Sequence, residues 1–491
     1  VAFFHDMLYE PTDNSTSLRV KGLISKGDAE GAERLLEAFA SREGTVVRLR
    51  SYLPILNLYC QKGEISSAMR LFKRMRNTES VHLEPENYVM VISALAENGC
   101  FREDAEPIEN ATELGYSEPC GLALFDELVT EMAEEVLEIT SASARKMYNS
   151  LAIGFKDQRA GRNLQEMHSL AGMRVFNDPS EDDEVVASRI SVDHETGMCP
   201  RTKAKLRLVM LDDGQRKQLR QSLSQLAASE TAKFAKGNNR KQKEDAQRAI
   251  EEMTRFADWL DTRTGEPFTA IVDGANAAYY MQNFDQGSFN FYQIQFVVDA
   301  LIKMKENPLV VLPYKYGFDS FKINTGFAGE LQRLSDEERN IRDSLVERGM
   351  LYRVPPRLLD DYYWMIASVS DQIASRKGGA NIDVLPQNED GRWPGTRPML
   401  VSNDQMRDHK LEMLEPRLFR RWVSSFIIKY DFTPVVDEKW DEREVIFSPA
   451  EHFSREIQEN SCTDGQMTWH FPVSEWGKDE RFCIKLGRRL N

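Results

Sequence analysis

The 491 residues are 41% hydrophobic and 29% charged, an ordinary globular composition in a chain too long for one core. No apolar run approaches the roughly 20 residues that cross a bilayer, which excludes a membrane-spanning helix. The formal charge of −15 argues by itself against a nucleic-acid partner, yet residues 201–250 carry 13 Lys or Arg against 5 Asp or Glu.

The six cysteines, at 60, 100, 120, 199, 462 and 483, are too scattered for a small secreted framework. They point to a reducing compartment and to metal ligation rather than disulfides. The opening VAFFHDMLYE has neither a secretory pattern nor an Arg-rich, acid-poor transit pattern. It also lacks an initiator Met, so a targeting segment could have been removed.

Residues 1–178 read as a helical repeat section. Gly27, Gly63 and Gly99 are spaced 36 apart, and around each the outline is helix, Gly turn, second helix. SLRVKGLISKGDAEGAERLLEAF aligns with YLPILNLYCQKGEISSAMRLFKRM and, more loosely, with YVMVISALAENGCFREDAEPI. Ala32 and Ala68 are small enough to let paired helices pack closely. A period in the middle thirties marks stacked helix pairs with a concave binding surface. With Tyr52 and Tyr88 near the starts of the first helices, the pattern resembles pentatricopeptide repeats, which imply RNA binding. A tetratricopeptide-like protein scaffold has the same geometry.

Residues 179–262 together with 449–491 read as a split, partly β connecting module. Thr196-Gly-Met-Cys199-Pro has the look of a metal knuckle, with His470 and Cys483 far downstream. Residues 214–262 read as long amphipathic helix.

Residues 263–448 alternate strands and helices, which predicts a doubly wound parallel α/β sheet. FTAIVDGANAAYY runs from buried strand through a turn into a helix, and LVVLPY, LYRVPP and PMLVSND are further strands. The segment 375–398 is an exposed insertion by its Gly, Pro, Asn and charge content.

Two strands end in an acid, Asp273 and Asp404, and strand ends are where ligands bind such sheets. Asp360 and Asp361 open the helix DDYYWMIAS, where they either cap the helix or join the other two acids. Four carboxylates in one crevice repel unless divalent cations sit between them, and hard oxygen ligands suit a pair of Mg²⁺ or Mn²⁺ ions. Such a centre suits phosphodiester hydrolysis. Asn276, Asp408 and His409 are expected to touch substrate or to support the ligands. For His409 the alternatives are a general base or a surface residue at a helix start.

IVDGANAAYYMQNF, LLDDYYWMIAS and LVSNDQMRDHKLEML, in that order, resemble the NYN-type (PIN-like) metallonuclease domain of protein-only RNase P. The repeats and the split Cys/His module complete that family's architecture over the whole chain. The resemblance implies hydrolytic removal of the 5′ leader of precursor tRNA without an RNA subunit. The sequence leaves the compartment open among nucleus, mitochondrion and plastid, and with nothing resembling a heptad seam a monomer is expected. It also implies Asp273, Asp360, Asp361 and Asp404 as metal ligands, and a zinc held by Cys199, His470 and Cys483. The family's fourth zinc ligand, a second Cys, is replaced by Thr202. Either the ion is lost, or His194 or Cys462 supplies the missing donor. The alternatives to this function are an NYN endonuclease acting on other RNAs and a non-catalytic RNA-binding repeat protein.

Overall fold

The computed structural model describes residues 12–42, 44–102, 104–155, 185–234, 239–282, 287–323, 331–356, 358–372, 398–404, 416–433, 443–448, 453–461 and 467–486. No helix among them is long and apolar enough to cross a membrane. The chain divides into two compact units, residues 1–206 with 455–491 and residues 207–454.

In the first unit, helices α1 (Asp13–Ile24), α2 (Ala29–Ala40), α3 (Leu49–Lys62), α4 (Ile65–Arg76) and α5 (Pro85–Glu97) follow the repeat. Gly27, Gly63 and Gly99 all take left-handed φ, between 69° and 76°, so each turn needs the one residue without a Cβ penalty. The buried face alternates aliphatic and aromatic residues at helical spacing, as in Ile55, Leu56 and Tyr59 of α3 and Leu71, Phe72 and Met75 of α4. The third copy departs from the expected outline. After Gly99 the chain turns irregularly, and the next helix, α6 (Gly121–Glu135), starts only at 121. Pro107, and Gly115 at φ 91°, are incompatible with a helix across FREDAEPI and beyond. Helix α7 (Ser141–Gly154) then packs on α5.

The same unit holds a four-stranded antiparallel sheet in which early and late chain meet. Strand β1 (Val185–Ser191) pairs with β12 (Glu480–Leu486), which pairs with β11 (Met467–Pro472), and β11 with β10 (Gln458–Ser461). Trp469, Phe471, Phe482 and Ile484 from this sheet join the core formed by the repeats.

The second unit is built on a six-stranded sheet. In spatial order it runs β6 (Leu351–Val354), β3 (Pro308–Pro313), β2 (Ala270–Asp273), β7 (Met399–Val401), β8 (Ile427–Phe432) and β9 (Val445–Ser448). All neighbours are parallel except β8 and β9. A short antiparallel hairpin, β4 (Ser320–Lys322) with β5 (Leu331–Arg333), follows β3. Alternate strand residues face opposite layers. Ile271, Leu309, Val311 and Leu400 pack with two long helices, α8 (Asp213–Phe234) and α9 (Asn239–Thr262), through Leu219, Leu223, Met253, Phe256 and Leu260. Val272, Val310, Leu312 and Val401 face the other layer with helices α11 (Phe291–Lys303) and α12 (Asp336–Glu347). Burial on both faces is why these strands read as continuous apolar runs.

Strand order reverses between β2 and β7: the chain proceeds from β2 outward to β3 and β6, then returns to β7 and β8. In an open parallel sheet this point opens a crevice at the carboxyl ends of the strands.

Candidate active site

Asp273 closes β2 at that crevice and is 4% exposed. One carboxylate oxygen accepts the backbone N–H of Asn276 at 3.0 Å and the other accepts the Ser402 hydroxyl at 2.8 Å. The first bond caps the short helix α10 (Gly274–Ala278). Ser402 follows β7 directly, and its oxygen in turn accepts the backbone N–H of Asp404 at 3.1 Å. One hydroxyl therefore couples the two strand-end acids across the reversal.

Asn276 works on the same joint. Its side-chain oxygen accepts the backbone N–H of Asn403 at 3.0 Å and the Tyr430 hydroxyl at 2.7 Å. Asn403 is pinned to β8 by a donated bond to the Tyr430 carbonyl at 2.7 Å and an accepted one from its N–H at 3.1 Å. The Lys429 ammonium donates to the Asp404 carbonyl. The turn carrying Asp273 and the loop carrying Asp404 are thus one hydrogen-bonded assembly.

Helix α13 (Asp360–Ser368) brings the other two acids. Its N-cap is Leu359, without a side-chain capping bond, and Asp360 and Asp361 occupy the first turn. Asp360 is therefore not the cap, although both carboxylates gain from the helix dipole. The rest of α13, from Tyr362 to Ser368, is buried, which fixes the rotation of the helix.

The four acids lie near enough for their charges to interact, Asp361 and Asp404 with Asp273, and Asp361 and Asp273 with Asp360. Burial, with the charges of Asp361 and Asp404, pushes Asp273 up to about 7, against the bonds from Asn276 and Ser402. Burial raises Asp360 well above the usual carboxylate range, and Asp361 and Asp273 add to it. Lys315 and Lys429 oppose this crowding: Lys315 acts on Asp360, and Lys429 on Asp404 and Asp273. The donors are all hard carboxylate oxygens with a deficit of positive charge, which fits Mg²⁺ or Mn²⁺.

A tighter set of donors lies in the first unit. Cys199, His470 and Cys483 are buried, with donor atoms all within 4.8 Å of one another. Among the described residues no other group of three is so close; the four aspartates are spaced more widely. His470 and Cys483 are cross-strand partners on β11 and β12, their ring nitrogen and sulfur 3.6 Å apart. With the Asn460 carboxamide oriented so that its oxygen accepts from His470 Nδ1 at 3.1 Å, Nε2 is left to face Cys483. The Cys483 thiol, then His470 and Thr202, hold the Cys199 thiol down to about 3 despite burial, and a thiolate is the metal-binding form. Thr202 is buried beside Cys199, donating its backbone N–H to the sulfur at 3.5 Å. His194 is exposed and stands outside this group. Cys462, Asp408, His409 and the insertion up to 397 lie outside the described residues.

Ser402, Lys429, Tyr430 and Lys315 were not among the residues expected at the site. Ser402 could have been suspected from its place between a strand and Asp404; Lys429 and Tyr430 come from β8, whose place in the strand order the sequence leaves open, and Lys315 from the turn that follows β3.

Comparison with known proteins agrees with this architecture. A pentatricopeptide (PPR) repeat model matches residues 50–77, the α3–α4 pair. The chain is 25% identical over 470 residues to proteinaceous RNase P 2 of Arabidopsis thaliana, covering 94% of this chain and 74% of that protein. It is likewise 25% identical to the chloroplastic/mitochondrial proteinaceous RNase P 1 of the same plant, over 92% of this chain and 64% of the relative. The crystal structure of nuclear proteinaceous RNase P 2 from A. thaliana superposes with a TM-score of 0.64 at 21% identity, covering 97% of this chain and 83% of that one. In sequence, repeat content and fold, the chain is similar to the protein-only RNase P proteins.

Proposed function

We propose that this protein is a metal-dependent endoribonuclease that removes the 5′ leader of precursor tRNA, needs no RNA subunit, and leaves a 5′ phosphate. The reading is supported by Asp273 and Asp404 following the two strands that flank the strand-order reversal, by the charge interactions that link Asp360 and Asp361 to Asp273, and by similarity over 94% of the chain to a proteinaceous RNase P. The repeats take the role of the tRNA-binding section. The relatives are described as nuclear and as chloroplastic/mitochondrial, and the compartment proposed here is one of these.

In this reading Asp273, Asp360, Asp361 and Asp404 hold two Mg²⁺ or Mn²⁺ ions. Such ions supply Lewis-acid chemistry, strengthening water as a nucleophile and offsetting charge on the phosphate and the departing 3′ oxygen. Ser402 fixes the Asp273 carboxylate and the Asp404 backbone at once, so the ligand separation does not depend on flexible side chains. Asn276 is a positioning residue that acts through the 402–404 loop. Cys199, His470 and Cys483 are assigned to a zinc ion that braces the β10–β12 sheet.

The test incubates the protein with leader-bearing precursor tRNA and Mg²⁺ and maps the products. Cleavage at the mature 5′ end, abolished by Asp404→Ala, is expected. Cleavage elsewhere, or only of unstructured RNA, would transfer the reading to an NYN endonuclease of another specificity. Binding without cleavage would make it a non-catalytic RNA-binding protein.

A further inference from the structure

At the end of β3 the chain makes a 3₁₀ turn, Tyr314–Gly317, that reaches Phe318. β3 lies between β2, which ends in Asp273, and β6, whose outgoing chain leads to Asp360. The turn therefore stands at the catalytic edge of the sheet.

Its side chains divide sharply. Tyr316 is fully buried, stacked on Phe289 with ring centroids 4.1 Å apart. Tyr314 and Phe318, on either side, are 41% and 45% exposed. They meet edge to face, with centroids 5.1 Å apart at 77°. Between them Lys315 packs its ammonium over the Tyr316 ring and lies near enough to Asp360 for the two charges to interact. Leu359, the residue before Asp360, is 42% exposed as well. Tyr316 supplies the anchoring of this turn, so two further large aromatic rings in solvent are not needed to hold it.

We propose that Tyr314 and Phe318 form a stacking platform for the unpaired base on the leader side of the scissile phosphate. The inference rests on the reading of the protein as a precursor-tRNA endonuclease. An aromatic face accepts any unpaired base, and a cation nearby favours the phosphate that follows it. In such a substrate the nucleotide on the mature side is paired in the acceptor stem, whereas the leader base is free to stack. The platform also adjoins the carboxylates that must reach that phosphate, so a base seated there fixes the register of the cut. Sequence tolerance follows, because stacking needs no particular hydrogen-bonding edge.

The test is a cycle between protein and RNA. Precursor tRNA carrying either a normal or an abasic nucleotide immediately upstream of the cut is cleaved by the wild type and by the Tyr314→Ala/Phe318→Ala double variant. For the wild type the abasic change should lower kcat/KM about tenfold. For the double variant, already about tenfold slower on the normal substrate, it should cost nothing further. Mature tRNA, which has no leader, should bind both proteins equally, and Tyr314→Phe should keep most of the wild-type rate. Equal losses on normal and abasic substrates, or weakened binding of mature tRNA, would overturn the platform. So would a double variant as active as the wild type. If the wild type itself does not cut at the mature 5′ end, the parent reading fails, and the two failures are distinct.

Discussion

Asp273 is the residue on which the site turns, because it is both a buried acid and a structural cap. Asp273→Asn keeps the acceptor for the Asn276 N–H but removes a charge, so cleavage should fall by several orders of magnitude while precursor-tRNA affinity stays within a few fold. Single-turnover cleavage beside a filter-binding titration checks this; parallel loss of both would remove Asp273 from the ligand set. Ser402→Ala removes the one hydroxyl that joins the two strand-end acids, a bond to a charged group worth roughly 1.5–3 kcal/mol. A drop in rate of about ten- to a hundredfold, partly recovered at higher Mg²⁺, is expected, and no recovery would mean that Ser402 does not act through the ions. The raised position of Asp273, at about 7, has a signed consequence. A carboxyl whose pKa is higher folded than unfolded stabilises the fold when protonated, and that contribution is lost as pH rises through about 7. Divalent cations need the ionised form, so Mg²⁺ should raise Tm more at pH 8 than at pH 5.5. A stabilisation independent of pH would argue against ions at Asp273.

At the level of elements, what the sequence exposed depended on whether the signal was local. Strands β2, β3, β6 and β7 were legible because each is a short apolar run closed by a turn or an acid, and the period-36 glycines were legible because a left-handed turn leaves few choices. The third helix pair misled because GCFREDAEPI keeps the turn of the repeat without an apolar stripe to follow it. The capping alternative for Asp360 could be settled only in three dimensions, with Leu359 as the cap. Ser402, Tyr430 and Asn276 make bonds to residues 127 to 154 positions away, and nothing within a window of sequence reports such a pairing. Gly274 lies between the two kinds of signal. Its presence after Asp273 suggested a tight turn, and the reason proves to be packing: a Cβ there would come within 2.6 Å of Leu312 and 2.7 Å of Val310. Gly274→Ala should therefore cost about 1–3 kcal/mol and, by moving α10 off β3, slow cleavage as well. Melts and rates together check this, and an unaltered Tm would show that β3 yields without cost.

At the scale of the whole chain, the sheet of β1 and β10–β12 closes a chain excursion of nearly 300 residues, from Ser191 to Glu480. Closing so long a loop is entropically unfavourable, and cross-links that pin its ends offset that cost. The assigned zinc would be such a link, because Cys199 stands on the early side of the excursion and His470 and Cys483 on the late side. Thr202 in place of a fourth thiolate leaves three protein donors, whereas structural zinc ordinarily has four. The ion should consequently be present at one equivalent in freshly purified protein, yet be removed by chelators more readily than from a four-ligand site. Its removal should lower the thermal transition of the repeat-bearing unit while leaving Mg²⁺-dependent stabilisation of the nuclease unit intact. Thr202→Cys, by completing the donor set, should slow zinc loss to a chelator and raise the first transition. Elemental analysis without zinc, together with melts insensitive to chelator and to Thr202→Cys, would reduce the triad to a hydrogen-bonded knuckle: the Cys199 thiolate would then be held by Cys483, His470 and the backbone N–H at 202, and β-sheet pairing would carry the closure unaided.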